Sequence, residues 1–312
     1  MKKIFVTGAS GCVGHYLFDI LSSNPDYRLY LLVRDPDKLK FNLEAFPNVT
    51  IIKEDLSNIK KHAELLKTMD YVVHLAADWG GHEGNLDYSL NLFNLLNPER
   101  CEKVIYFSTA SILGSDNRPL REAETIGTHY IRSKYQIYKK LPELKIYPRV
   151  VTLFPTWVLG GDARHPYSHA SAGILAMRKW LWLIRFFTAD VSFHFIHARD
   201  LALVVKHLLE NNVKEKEYVL GNNVITAGEF IRRTCQFFNQ RVYFQIPISL
   251  SLVRFLAFIT GRRLHPWDLY SLRKRHFEYK AAAAANFGIK SNLQTVEEIL
   301  SDMVSRKNEN QF

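Results

Sequence analysis

The feature that most constrains the fold of this chain is the alternation, through its first half, of short uninterrupted apolar runs with stretches of helical spacing. The runs are Lys3 to Val6, Leu29 to Val33, Val49 to Ile52, Tyr71 to Leu75, Val104 to Phe107 and Val150 to Phe154. Runs this short and this continuous fit strands buried on both faces rather than strands with one wet face. Between them, Val13 to Leu21, Ile59 to Thr68 and Leu86 to Leu96 carry helical spacing. Strand–helix alternation predicts an α/β fold, a doubly wound parallel sheet with helices on both faces. After about Trp157 the texture changes. Residues 158–187 are rich in Gly, His, Trp and Arg; Phe193 to Ile196 and Tyr218 to Leu220 return to strand character; residues 223–312 read mainly as helices.

The first strand runs directly into Thr7-Gly8-Ala9-Ser10-Gly11-Cys12-Val13-Gly14. Glycines at 8, 11 and 14, between a strand and a helix, have three separate uses: a tight turn, close approach of backbone to a pyrophosphate, and tight packing of helix on strand. The helix amino terminus then presents free N–H groups and a positive dipole end to the phosphates. This is the Rossmann pattern for a dinucleotide. The expected division is a Rossmann domain of residues 1–157 and 188–222, and a smaller, mostly helical substrate-binding domain of residues 158–187 and 223–312.

The next strand ends in Val33-Arg34-Asp35. A guanidinium at this tip suits a 2′-phosphate and points to NADP, with NAD the alternative if Asp35 takes the ribose and Arg34 is merely solvated.

From here the sequence resembles the extended short-chain dehydrogenase/reductase family, also called the NAD-dependent epimerase/dehydratase family, whose fingerprint is T-G-x-x-G-x-x-G. The resemblance implies cofactor contacts at Gly8, Ser10, Gly11, Cys12, Val13 and Gly14. Glu54-Asp55-Leu56 is similar to the family's acidic contact to the adenine ring, so Asp55 and Leu56 join the set with Arg34. His74-Leu75-Ala76-Ala77 is similar to its H-x-A-A strand end beside the cofactor, which adds Leu75, Ala76 and Ala77. Asn85 to Phe93 resembles the helix that follows. Phe154 to Gly161 resembles R-P-x-x-V-x-G-P and adds Pro155, with Phe154 in place of Arg and Gly161 in place of Pro. His194 to Ala202 resembles F-x-H-V-x-D-L-A, in which Asp200 ties domains together.

Hydride exchange at a carbonyl or alcohol needs a proton moved at the same oxygen. Tyrosine can do this if a nearby cation lowers its pKa from about 10. Tyr130-Ile131-Arg132-Ser133-Lys134 places phenol and ammonium four residues apart, on one helix face, behind a plausible cap at Thr128. Tyr135 and Lys139 repeat the spacing, but Ser133 gives the first pair the family's Y-x-x-S-K form. In the family this lysine, here Lys134, also holds the nicotinamide ribose. Ser108-Thr109-Ala110-Ser111 is similar to the family's S-[ST]-A-x-V-Y-G strand end and puts Thr109 at the hydroxyl position, with Ser108 and Ser111 as alternatives. Ala110-Ser111 stands where the family's sugar-nucleotide dehydratases carry Asp-Glu, which disfavours dehydration. Asp78, Trp79, His82, Asn85, Ser111, Trp157 and the segment 163–187 are candidates for the substrate pocket. Trp180, Trp182, Phe186 and Phe187 read as packing of the second domain or as a pocket wall.

With 47% hydrophobic and 23% charged residues over 312 positions, disorder and a small crosslinked scaffold are excluded. Three scattered cysteines without C-x-x-C give neither a zinc site nor a disulfide framework; a reducing, cytoplasmic setting and no metal are expected. Ile4 to Val6 is too short for a signal-peptide core, and no apolar run is long enough for a transmembrane segment. The net charge of +10 suits a basic enzyme with a small-molecule substrate. No motif accompanies Arg262-Arg263 or Arg273-Lys274-Arg275, so no nucleic-acid partner is expected. Ile246 to Ile259 reads as a buried helix, or as a lid or a weak membrane contact. A homodimer is common among relatives. Ala281 to Ala285 reads as an alanine-rich helical turn. The expected function is a carbonyl–alcohol oxidoreductase with Tyr130 as acid/base. A nucleotide-sugar epimerase with tightly bound NAD, or a non-catalytic NADP-binding sensor or scaffold, are the alternatives.

Overall fold

The computed structural model describes residues 1–77, 84–249, 251–252 and 264–305. Its centre is a seven-stranded, wholly parallel sheet of β1 (Lys2–Thr7), β2 (Tyr27–Val33), β3 (Val49–Lys53), β4 (Tyr71–His74), β5 (Lys103–Phe107), β6 (Val150–Pro155) and, later in the chain, β11 (Glu217–Leu220). Their spatial order is β11-β6-β5-β4-β1-β2-β3, so the order reverses between β1 and β4. That reversal opens a crevice at the strands' carboxyl ends, where ligands of open α/β sheets bind.

Each expected run is a strand because both its faces are covered. On one face α1 (Cys12–Ser22) and α8 (Ala198–Glu210) pack together over Ile4, Val6, Leu29, Leu31 and Val73. On the other, α3 (Gly84–Asn94) and α5 (His129–Lys140) cover Phe5, Val72, Val104 and Tyr106. The segment expected as one helix after β3 is a 3-10 stretch, Leu56–His62, followed by a single turn, α2 (Ala63–Leu66). Asp55 caps its start by accepting from Ser57 N–H, and Asn58 leaves helical geometry.

The remaining elements are α4 (Arg121–Thr125), β7 (Trp157–Leu159), α6 (His169–Met177), α7 (Leu181–Ile184), β8 (Phe187–Thr188), β9 (Ser192–Phe193), β10 (Phe195–His197), β12 (Ile225–Thr226), α9 (Ala227–Phe237), β13 (Ile246–Pro247), α10 (Pro266–Lys274), β14 (His276–Phe277) and α11 (Val296–Ser305). Asp200, buried in α8, accepts a hydrogen bond from Ser291 through both carboxylate oxygens at 2.7 and 2.8 Å. His165 bridges Asp19 on α1 and Asp162 on the loop after β7, its ring stacked on Tyr16 at 3.9 Å.

The described part of 223–312 is mainly helical, with three two-residue strands besides: β12 and β14 flank β9, and β13 pairs with β8. Three expectations need correction. The alanine tract does not begin as a helical turn. Ala282 runs extended beside β11, exchanging N–H and C=O bonds with Val219 and Gly221, and only Ala284–Phe287 curls into a 3-10 turn. Ile246 to Ile259 is not a buried helix where it is described, because Ile246–Pro247 is an exposed strand; residues 250 and 253–259 lie outside the described residues. Trp180 and Trp182 do not pack a core, being exposed at the surface. Small apolar side chains allow a close approach to a neighbouring strand as readily as they allow a helix, and apolar character alone does not say which face is covered.

Two glycines are required by this packing. Gly8 has φ +79°, and a Cβ there would lie 2.7 Å from Ala76 N. A Cβ on Gly14 would lie 2.4 Å from Gly8 O and 2.6 Å from Ala9 Cα, driving α1 off β1. Gly14→Ala should therefore lower stability by roughly 1–3 kcal/mol in urea unfolding. Gly173→Ala, where nothing lies within 4 Å, should be neutral or stabilising by up to about 1 kcal/mol. Equal effects at the two positions would contradict the packing argument.

Candidate active site

α5 starts at Thr128, whose hydroxyl accepts from Ile131 N–H at 3.3 Å. One turn in, Tyr130 and Lys134 project toward the end of β5. The Lys134 ammonium is buried, donates to the Phe107 carbonyl at 2.6 Å, and lies 4.9 Å from the Tyr106 ring centroid and 6.0 Å from that of Tyr130. No described carboxylate pairs with it, and burial alone lowers its pKa to about 7. Thr109 follows β5 and caps the turn Ala110–Ile112, its hydroxyl accepting from Ser111 N–H at 3.3 Å. The same hydroxyl is within hydrogen-bonding reach of the Tyr130 phenol. Phenol, amine and hydroxyl therefore converge.

Lys134 does not lower the Tyr130 pKa in this state, contrary to expectation. Burial raises that pKa well above the ordinary tyrosine value, and the Thr109 bond offsets only part of the rise. The physical reason is that the ammonium is 6.0 Å from the ring centroid, committed to a carbonyl, and itself half-discharged near neutral pH. The competing pair serves a different purpose. Lys139 meets Glu124 at 3.6 Å and lies over Tyr135, while Tyr138 packs on Phe154 and donates to Glu217. Phe154, which stands where the resembled segment has Arg, is core, and Ser108 lies buried beside the Tyr106 hydroxyl.

The glycine turn has the features a dinucleotide needs. Gly11 has φ −84°, open to any residue, and a Cβ added to it would meet only Gly8 O, at 3.4 Å. Protein packing does not explain a glycine there. Gly11 also caps α1 without a side chain, and the first turn of α1 holds no acidic residue, so the N–H groups of Cys12, Val13 and Gly14 meet no side-chain competitor. Ser10 is half-buried in the same turn. Cys12 is not reactive, since burial pushes its thiol up to about 12. Leu75, Ala76 and Ala77 leave β4 against this turn: Leu75 N–H donates to Thr7 O at 3.1 Å and Ala76 N–H to Thr7 Oγ1 at 3.3 Å. Pro155 ends β6 two strands away, paired with Leu220.

At the other end of the crevice Arg34 is 71% exposed on its side chain, with Nε 3.6 Å from Asp55. Asp35 is used locally, accepting from Asp37 N–H and meeting Lys38 at 3.7 Å. Leu56, half-buried, follows Asp55. Asp78, Trp79 and His82, and the side chain of Asn85, lie outside the described residues. Trp157 packs edge-on against Phe193 at 5.1 Å, and Ser111 serves the Thr109 turn.

Three residues escaped the sequence reading. His15, the residue after the third glycine, donates through Nδ1 to Gly11 O and accepts Lys40 N–H on Nε2, pinning the glycine turn to the loop after β2. Ser89 bonds His74 Nε2 at 2.8 Å, and His74 Nδ1 bonds Thr7 at 2.7 Å; burial first, then Lys134, hold this imidazole neutral with a pKa of about 3. Tyr106 faces Lys134 and carried one visible signal, a phenol in an otherwise apolar buried run.

The sequence profile of the NAD dependent epimerase/dehydratase family matches residues 4–221. A curated relative, the decarboxylating sterol-4-alpha-carboxylate 3-dehydrogenase of Dictyostelium discoideum, is 22% identical over 304 residues, covering 88% of this chain and 87% of its own. Among solved structures, UDP-N-acetylglucosamine 4-epimerase from Methanobrevibacter ruminantium is similar with TM-score 0.70 and 21% identity, covering 99% of each chain. dTDP-glucose 4,6-dehydratase from Bacillus anthracis, in complex with NAD, is similar with TM-score 0.68 and 17% identity, covering 100% of this chain and 98% of its own. A Rossmann sheet of this strand order, a glycine turn shaped for a dinucleotide and a profile match over most of the length lead to one assignment: the chain belongs to the NAD-dependent epimerase/dehydratase family of enzymes.

Proposed function

We propose that this enzyme is an oxidoreductase that interconverts a carbonyl and a secondary alcohol on a small organic substrate, with NADP(H) as the preferred cofactor. The observation that carries this reading is the convergence of Tyr130, Lys134 and Thr109 at the end of β5. The bound dinucleotide supplies hydride chemistry at its nicotinamide. Gly11 and the free N–H groups at the start of α1 bind its pyrophosphate, and Arg34 takes the 2′-phosphate.

Thr109 orients the substrate oxygen through its hydroxyl. Tyr130 moves the proton at that oxygen: it donates as a carbonyl is reduced and accepts as an alcohol is oxidised. Anionic charge brought to the strand ends raises Lys134 from about 7 toward the ordinary lysine range. A protonated Lys134 then favours the phenolate of Tyr130, reversing the bias that burial alone imposes. The neutral His74, held between Thr7 and Ser89, keeps the end of β4 in place without adding a competing charge.

The curated dehydrogenase relative, aligned over 88% of the chain, supports the oxidoreductase reading. The fold likeness to a UDP-N-acetylglucosamine 4-epimerase supports a second reading, sugar-nucleotide epimerisation with cofactor retained. Ala110-Ser111 after Thr109 speaks against dehydration, since neither side chain is an acid or a base. Exchange of bound cofactor separates the two main readings. An oxidoreductase turns over added NADPH against ketones or sterol ketones, whereas an epimerase purifies with its dinucleotide and converts a nucleotide sugar with no net change in nicotinamide absorbance.

Tyr130→Phe should lower kcat by roughly 10²–10⁴-fold while leaving the dinucleotide Kd within about threefold. Retained turnover would remove Tyr130 from the chemistry, and an unchanged biological activity would favour a non-catalytic sensor or scaffold. Arg34→Leu should weaken NADPH binding by about 1.5–3 kcal/mol, roughly tenfold to a hundredfold, and leave NADH binding nearly unchanged. No loss for either cofactor in calorimetric titration would assign Arg34 to solvent, and equal losses for both would assign it to the ribose.

A further inference from the structure

The helical run through α6, Arg178–Trp180 and α7 exposes more apolar surface than an ordinary surface helix. It buries Ser171, Ile174 and Leu181 and turns Ala176, Met177, Trp180, Trp182 and Leu183 to solvent. A second apolar segment joins it. Ile246 N–H donates to Phe186 O at 2.8 Å and Ile248 N–H to Thr188 O at 2.7 Å, and the Phe186 and Phe244 rings lie 5.2 Å apart. Trp180 is 50% exposed, Trp182 56%, Tyr243 74% and Phe244 56%. Isolated apolar side chains at a surface are unremarkable, but eight of the exposed large hydrophobics fall on these two hydrogen-bonded segments.

The two stretches of sequence that carry them are basic. Residues 163–189 and 230–267 contain ten Lys and Arg and no Asp or Glu, and the rest of the chain carries 31 residues of each sign, so these two stretches account for the whole +10. Of the cations that are described, Arg178, Lys179 and Arg241 are exposed at the rim of the apolar face, and none of the three meets a described carboxylate. Arg178 instead lies 4.6 Å from the Phe238 ring centroid and Lys179 5.9 Å from that of Trp180.

We propose that this face rests on an anionic lipid bilayer, with Trp180, Trp182, Tyr243 and Phe244 at headgroup depth and Arg178, Lys179 and Arg241 over the lipid phosphates. Tryptophan and tyrosine combine an apolar ring with a polar edge, which suits the headgroup level, and basic side chains extend to reach anionic headgroups. Arg178, Lys179 and Arg241, which meet no described carboxylate, disfavour a second copy of the chain as the occupant. A two-fold contact would bring these cations close to their own copies. No described helix is long and apolar enough to cross a membrane. The proposal stands on this surface alone and holds whichever carbonyl, alcohol or sugar chemistry the active site performs.

The test is flotation of the full chain with vesicles of phosphatidylcholine alone, or with roughly one third phosphatidylserine, at about 0.1 M salt. The wild-type chain should float with the anionic vesicles, with tryptophan emission shifted to the blue, and bind the neutral ones far more weakly. Arg178→Gln with Lys179→Gln should weaken binding to anionic vesicles by about tenfold or more. Trp180→Ser with Trp182→Ser should weaken binding to both. Dinucleotide affinity and melting temperature, unchanged in both double variants, show that fold and active site are intact. Absence of wild-type flotation, flotation unaffected by both double variants, or a wild-type dimer that Trp180→Ser with Trp182→Ser makes monomeric would each overturn the proposal, the last by giving the face to a second copy.

Discussion

The structure at the catalytic end depends on one buried cation. Lys134 is almost wholly removed from water, has no carboxylate partner among the described residues, and is held by a single carbonyl and the face of Tyr106. Its pKa in the folded chain, about 7, lies below the ordinary lysine value of about 10.4. Folding therefore expels a proton between these values. The stability lost to this lysine is fully present below about pH 7 and fades as pH rises toward 10. A position that costs stability at the carboxyl end of a parallel sheet, within reach of a phenol and a hydroxyl, fits chemistry better than packing.

The cofactor end shows how one residue type answers different constraints. Gly8 is needed by its backbone angle and by Ala76, and Gly14 by the contact of α1 with β1. Gly11 is needed by neither. His15 ties this turn to the loop that follows Arg34 and Asp35, so the two are braced by one imidazole.

Much of this was legible in the sequence because the signals were local. Continuous apolar runs marked strands buried on both faces, three glycines marked the turn, and the spacing of Tyr130 and Lys134 placed both on one helix face. Thr109 was separable from Ser108 and Ser111 only through the family resemblance; the coordinates then placed it beside the phenol. What failed was decided by tertiary contact. Ala282 pairs with β11 although alanine favours helices. Trp180 and Trp182 face outward although indoles usually bury. Ser89, His15 and Tyr106 carried no spacing signal, since their partners lie in other elements. The direction of the Tyr130 shift was misread for the same reason: sequence gives the spacing of a cation but neither its hydration nor its distance.

The central claim is that Lys134 titrates near neutrality in the free protein and regains its proton when an anionic dinucleotide enters the crevice. Lysine Cε resonances followed by NMR against pH, with the Lys134 signal assigned by its loss in Lys134→Met, test this directly. The account predicts one lysine titrating near pH 7 and shifting upward on addition of NADP⁺. A chain in which every lysine titrates near pH 10, with or without dinucleotide, contradicts it.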